Sequence, residues 1–384
     1  MIAERIRQAR LAAGFTQEQL ADALHMTKQV ISKYENGRSE PTASIIMKLA
    51  QALDRNPAYF LREPQIQVSW LGYRSRSSLG QRAREGIQYR AEAYAEQYVT
   101  LAEALAVEHI EALPPRQPIH DVEAADDLAM SVRVAWSLGE QPLDDVTTLI
   151  ESKGGVVFGE QNAPDVRFDG LSGWIDAIRP VIVLNLAMPV DRRRFSLAHE
   201  LAHLLMDDST NHHESVEAFA NRFAGAFLVP ASAARRELGD RRRHVDLEEL
   251  ALLKQIYGLS IAGWVYRAAD LDIISRAMSH RLWAEMSRRG WRKGEPPLFK
   301  AEETPTRLRQ MVLRAHAEGI ISRAQANDLC PGCLPPPADQ PLSPRDLMRL
   351  PPEERQRLLA EATATYDEDD VELLEAFGED DIVE

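Results

Sequence analysis

The chain is poor in cysteine. It has two in 384 residues, Cys330 and Cys333, both within "CPGC". A zinc ribbon needs a second pair of thiols, which this chain lacks, so a structural zinc here would need help from histidine or a partner chain. A redox C-x-x-C belongs at a strand-to-helix turn, whereas this one lies in a Pro-rich stretch; two incidental thiols able to form a local disulfide is the reading that remains. Also missing is any apolar run near the roughly eighteen residues that a membrane span requires. The N-terminus, "MIAERIRQAR", carries charge but no following apolar h-region, so no signal peptide is expected and the cytoplasm is the expected compartment. No internal repeat interrupts this picture.

What is present is the composition of a globular protein, 45% apolar and 27% charged, in a chain long enough for two or three domains. The net charge of −14 opposes nucleic-acid binding only on average. Residues 367–384 hold ten acids and no base, while residues 1–62 hold nine Lys/Arg against six Asp/Glu. The acidity is local, and it leaves the N-terminal end free to meet DNA.

Residues 1–62 read as a bundle of five short helices. Ile2, Ile6, Ala9 and Leu11 follow a helical period that ends at Gly14. Thr16 caps "QEQLADALH", with Gln19 completing a capping box, and Thr27 caps "KQVISKYENG", which stops at Gly37. A fourth helix has Ile45, Leu49, Ala52 and Leu53 on one face, and "NPAYFL" gives a fifth. The second and third helices form a tight helix–turn–helix. With Val30, Ile31 and Tyr34 inward, Lys28, Gln29, Ser32 and Lys33 point out, and these are residue types suited to base edges and phosphates in a major groove.

Beyond Pro64 a stretch rich in Ala, Glu, Arg and Gln reads as a long helix to about residue 105, broken by "LPPRQP" at 113–118. The period then changes. "GGVVFGE" (154–160), "DGLSGWIDA" and "PVIVLN" (180–185) read as strands, followed by the helix that carries the histidines, another helix across 216–228, and further helices over roughly 246–290 and 304–329.

The densest chemistry lies in "RRRFSLAHELAHLLMDD". His199 and His203 sit one helical turn apart on one face and can share an ion, while Glu200, about 100° round, can act as general base. Such a pattern also arises by chance, so a third ligand is required, with a fourth position left to water. Glu217, in line with the small residues Ala220, Asn221 and Ala224 on the next helix, is best placed. Its rivals are the loop residues His212, His213 and Glu214. Asp207 and Asp208 read as surface charge or as support for a histidine. Tyr266, Arg222 and His212–His213 are open candidates for stabilising an oxyanion.

Two resemblances rest on these residues. "TQEQLADALHMTKQVISKYENGRSEPT" resembles the Xre/Cro-repressor helix–turn–helix family, over residues 1–61. That resemblance implies that Thr27–Lys33 is the recognition helix, that Gln17 and Arg38 contact phosphate, and that a homodimer binds a double-stranded DNA operator. "RRRFSLAHELAHLL", preceded by "PVIVLN" and followed by "EAFANRFAGAFLVP", resembles the ImmA/IrrE family of zinc-dependent peptidases. It implies Zn2+ held by His199, His203 and Glu217, with Glu200 catalytic. "GWRKGEPP" and "EETPTRLRQMVLRAHAEGIISRAQANDL" fit that family's C-terminal half; Ala202 replaces a glycine common before the second histidine. The implied activity is cleavage of a partner repressor or toxin-like protein in a stress or mobile-element response. The alternative is a non-enzymatic Xre-type regulator whose peptidase-like domain binds a ligand or partner.

The expected fold is mainly α, of α+β class. It comprises an Xre-type helix–turn–helix domain (1–62), a helical linker (63–118), an ImmA/IrrE-like, zincin-like metallopeptidase domain with a small β-sheet (119–235), a helical C-terminal domain (236–329), and a Pro-rich linker with an acidic, largely disordered tail (330–384).

Overall fold

The computed structural model describes residues 2–71, 80–107, 113–118, 121–161, 168–207, 213–292 and 294–334, with the side chains of 213–215 left out. The expected linker and acidic tail lie outside the described residues from residue 335 on. Neither Cys330 nor Cys333 is a free thiol.

The N-terminal bundle consists of α1 (Ile2–Ala12), α2 (Gln17–Ala23), α3 (Lys28–Glu35), α4 (Ala43–Ala52) and a 3₁₀ turn, Pro57–Leu61. Local sequence sets most of its boundaries. Both halves of the Thr16–Gln19 capping box form, and Thr42 and Asn56 accept from Ile45 N–H and Ala58 N–H. Thr27 takes the N-cap backbone conformation of α3, but its side chain makes no capping bond. The core joins Ile6, Leu20, Ile31, Leu49 and Phe60. On α4 the buried face is Ile46, Leu49 and Ala50 with Leu53 beyond it, while Ile45 is only half-buried; tertiary contact turns the helix slightly from the expected face. A buried ion pair crosses the bundle: Arg10 Nη2 donates to Glu35 Oε2 at 3.0 Å, and the Gln17 amide donates to the same oxygen at 2.7 Å.

After this bundle comes a strand the sequence gives little hint of, β1 (Val68–Trp70), and then the long helix α5 (Gln81–Ala104). α5 packs against α1 on one side and the following body on the other. Glu96 on α5 takes both Arg5 nitrogens, at 2.7 and 2.9 Å. Arg90 donates to Ala12 O at 2.9 Å in α1 and to Glu160 at 2.6 Å in the body.

The body is built on a four-stranded sheet of order β1-β4-β5-β3, where β3 is Val156–Glu160, β4 Gly170–Ile175 and β5 Arg179–Asn185. β3 and β5 run parallel, and β4 is antiparallel to both β5 and β1. All seven residues of β5 are buried, which explains its continuous apolar run. A two-residue parallel pair, β2 (Gln117–Pro118) with β6 (Met206–Asp207), ties the stretch before the body to the end of α8 (Val190–Leu205).

α8 lies on the sheet, and α9 (His213–Leu228) packs against both α8 and α6 (Ala124–Ala135). α7 (Val146–Ser152), α10 (Ala231–Leu238), α11 (Leu247–Tyr257), α12 (Ile261–Asp270) and α13 (Arg276–Arg288) complete this body. A single apolar cluster runs from Ala125 through Ile182, Leu201 and Phe223 to Trp264 and Met286. α11, α12 and α13 therefore share one core with the histidine helix.

The described residues between 289 and 306 have no regular structure, and two carboxylates, Glu303 buried and Glu295 half-buried, hold them in place. Glu303 accepts from Val146 N–H (3.0 Å) and Thr147 N–H (2.9 Å) and pairs with Arg194 of α8 at 2.6 Å, with both side chains fully buried. Glu295 accepts from Ile261 N–H (2.6 Å) and Ala262 N–H (2.9 Å) and lies 3.4 Å from buried Lys254, which also meets Asp191 at 2.9 Å. Each carboxylate thus satisfies the orphan amides of a helix start and neutralises a buried cation. Removing one partner of such a pair costs about 3–5 kcal/mol, because the other charge is left without compensation.

Two further helices, α14 (Arg307–Ala317) and α15 (Arg323–Leu329), follow. Glu151 of α7 accepts from Thr306 and Arg307 N–H at the start of α14, at 3.3 Å. Burial pushes its carboxyl from the ordinary 4.5 up to about 7, against the opposing pull of those two amides. The folded chain therefore binds a proton there that the unfolded chain has lost, and stability falls as pH rises from about 4.5 to 7. Glu151→Gln should remove this slope. Urea unfolding at pH 5 and pH 8 should show the wild type losing on the order of 1–3 kcal/mol relative to the variant.

Candidate metal centre

The i, i+4 spacing on α8 brings His199 Nε2 and His203 Nε2 to 3.0 Å of one another. Glu217, across the seam on α9, places Oε2 at 3.6 Å from His199 Nε2 and Oε1 at 3.7 Å from His203 Nε2. α8 and α9 pack directly on one another, and Ala198 and Ala202 on α8 and Ala220 and Ala224 on α9 are fully buried. One donor atom from each of the three residues lies within 4.8 Å of the others, the one such group found among the described residues. A tetrahedral ion with arms of about 2.0–2.1 Å needs donors about 3.3 Å apart, so the set fits a small divalent cation with a position to spare.

The surroundings favour that use. Burial lowers the His199 pKa to about 4, which keeps the imidazole neutral as a ligand must be. Its Nδ1 lies 3.1 Å from Asn221 Oδ1; an N–H there fixes the tautomer that frees Nε2 toward the cluster. Glu200, between the histidines in sequence, points instead to the sheet, where Ser172 of β4 donates to its Oε2 at 2.7 Å. Burial pushes Glu200 up to about 8, opposed by the Ser172 bond and reinforced by Glu217 and Asp169. Gly170 makes room: a Cβ there would lie 2.9 Å from Glu200 Cγ and 3.1 Å from its Oε1.

Of the expected rivals, His212 is outside the described residues, as are the side chains of His213 and Glu214. Asp207 is exposed, and Asp208 is outside the description. Arg222, considered for an oxyanion, is engaged by Asp126 at 2.7 Å; Tyr266 is 62% exposed and leans on Trp283.

In the N-terminal bundle Thr27, Lys28, Gln29 and Lys33 stand exposed on or beside α3, and Arg38 is exposed after it. Ser32 is half-buried, with Asn36 Nδ2 3.2 Å from its hydroxyl. Gln17 is half-buried, its amide already given to Glu35.

Comparison with known proteins agrees with both regions. The helix-turn-helix family model matches residues 6–60, and the IrrE N-terminal-like domain model matches residues 151–268. The chain joins these two domains. Its sequence is similar to a SPbeta prophage-derived uncharacterized helix-turn-helix-type transcriptional regulator of Bacillus subtilis, 33% identical over 67 residues, which is 17% of this chain and 62% of that protein. It is also similar to uncharacterized helix-turn-helix-type transcriptional regulators of Rickettsia prowazekii and Rickettsia conorii, each 37% identical over 59 residues, 15% of this chain and 45% and 47% of those proteins. The chain thus spans about half to three fifths of the length of these relatives.

The IrrE N-terminal-like match extends past residue 235 into α12, in keeping with the shared core. Within it, sequence reasoning passed over the roles of Ser172, Gly170 and Asn221. Asn221 was findable, since it follows Glu217 by four residues and so shares its face. Gly170 and Ser172 share a strand face by period two, but only the packing of β4 on α8 reveals what that face meets. Asn221→Ala should leave the fold intact and weaken metal binding about 10–100-fold, read by chelator competition; unchanged affinity would remove Asn221 from the site.

Proposed function

We infer that this chain is a DNA-binding regulator whose IrrE N-terminal-like domain is a zinc-dependent endopeptidase acting on a partner protein, a repressor or a toxin-like protein. The observation that carries this reading is the convergence of His199, His203 and Glu217 within 4.8 Å, with Glu200 buried beside them. Packing alone gives no reason to aim two imidazoles and a carboxylate at one point.

Zinc held by these three residues would supply Lewis-acid polarisation of a scissile carbonyl and acidification of a water. The chain's own groups do the rest. Glu200 takes the proton from the attacking water and returns it to the leaving nitrogen. Ser172 holds one Glu200 oxygen and so fixes the plane of the carboxyl. Asn221 holds the His199 ring in orientation.

At the other end, Thr27, Lys28, Gln29, Ser32 and Lys33 form the reading face of the recognition helix, and Arg38 and Gln17 flank it as phosphate contacts. A homodimer would place two such helices on half-sites one turn apart.

The 384-residue chain should hold about one zinc per chain by elemental analysis, and Glu217→Ala should lose it. Glu200→Gln should keep the metal and abolish cleavage of proteins encoded by neighbouring genes. A wild type without metal sinks the peptidase reading, and metal without any cut favours a binding module. Separately, Lys28→Ala and Gln29→Ala should each weaken operator binding by about 1–3 kcal/mol in gel-shift titrations. Specific binding left intact in both would mean that another helix reads the DNA.

A further inference from the structure

An extended peptide is recognised most simply at a sheet edge, where it adds as one more strand through backbone hydrogen bonds. The strand in contact with Glu200 is β4, through Ser172 and the space left by Gly170. One edge of β4 is taken by β5, and the other by β1, with Val68, Ser69 and Trp70 opposite Ile175, Trp174 and Gly173. The ladder continues at both ends: Leu71 N–H donates to Ser172 O at 3.0 Å, and Asp176 N–H donates to Gln67 O at 2.8 Å. Ser172 therefore binds β1 with its carbonyl and Glu200 with its hydroxyl.

We propose that residues 67–71 occupy the position of an extended peptide substrate, which adds antiparallel along β4 only after β1 leaves. The partner is then an unfolded segment or loop of a protein rather than a folded surface. This rests on the peptidase reading above.

Three observations carry it. β1 is short and lightly held: Ser69 is exposed, and Val68, Trp70 and Leu71 are only half-buried, whereas every residue of β5 is buried. Secondly, a Cβ at Gly173 would lie 2.8 Å from Ser69 O and 3.1 Å from Trp70 Cα, so the slot beside β4 is shaped for close approach of a backbone. Thirdly, the approach to β1 is tied to the helix-turn-helix domain. Glu96 on α5 accepts from Gln65 N–H at 3.0 Å and from Arg5 of α1, and Arg5 also donates to Arg62 O at 3.3 Å. The Trp70 indole donates to Glu92 of the same helix at 2.8 Å. A shift of α1 against α5 would pull directly on the chain entering β1.

The test uses the zinc-loaded 384-residue chain and two variants. Ser69→Pro deletes a ladder N–H at an exposed position, and Glu92→Leu removes the Trp70 acceptor without touching the sheet. The probes are a fluorescein-labelled peptide of sequence PQIQVSWL (residues 64–71) and unfolded casein. With far-UV circular dichroism unchanged, the variants should exchange the Trp174 and Asp176 amides about ten-fold faster or more, bind the peptide, and cut casein about ten-fold faster than wild type. Exchange and peptide binding equal in wild type and variants would overturn the proposal. Casein cut equally by all three proteins would overturn it too, while leaving the peptidase reading intact. Peptide bound only by the variants, with casein cut by none, would keep the displaceable strand and end the peptidase reading. Should Ser69→Pro not fold, Glu92→Leu decides by the same measurements.

Discussion

Two imidazoles one turn apart on a helix are a weak ligand pair until a third donor reaches them, and the packing of α9 on α8 sets that distance. Ala198, Ala202, Ala220 and Ala224 are fully buried in the core that these two helices share. Glu217 can then span to within 3.7 Å of both histidines. Much of the remaining architecture keeps this pair from sliding: the sheet beneath α8, α6 behind α9, and a single apolar core that extends to Met286.

Charge taken out of solvent is placed where backbone amides need it. Glu303 and Glu295 come from a segment without regular structure, yet each closes a helix start and neutralises a cation, Arg194 or Lys254. Arg194 lies five residues before His199 on the same helix. The irregular segment after α13 is thus part of what fixes the histidine helix, although it contributes no ligand.

α5 joins the DNA-binding bundle to the rest. Arg90 spans from the last turn of α1 to Glu160 at the end of β3, and Glu96 takes Arg5 together with the chain leading to β1. These charged contacts, partly buried and multiply bonded, resist solvent screening better than exposed pairs. They give the helix-turn-helix domain a defined seat, and through β1 that seat continues into the sheet beside Glu200.

The local order of residues determined the capped helices of the bundle, the buried strand β5 and the His199–His203 pair, because capping, period and i, i+4 spacing act over a few residues. The capping box at Thr16 and the His199–His203 spacing form as the sequence implies. Tertiary structure alone decided the rest. Val68–Trp70 has too few residues to show a strand period and becomes one only because β4 offers it an edge. Ser172 and Gly170 gain their meaning from α8, 28 residues further along the chain for the Ser172–Glu200 bond. Residues 289–306 look like a linker in sequence, and their carboxylates become structural only when folding brings helix starts and buried cations to them. Long-range burial of charge and backbone pairing leave no local period to read, and so they emerge only from the folded chain.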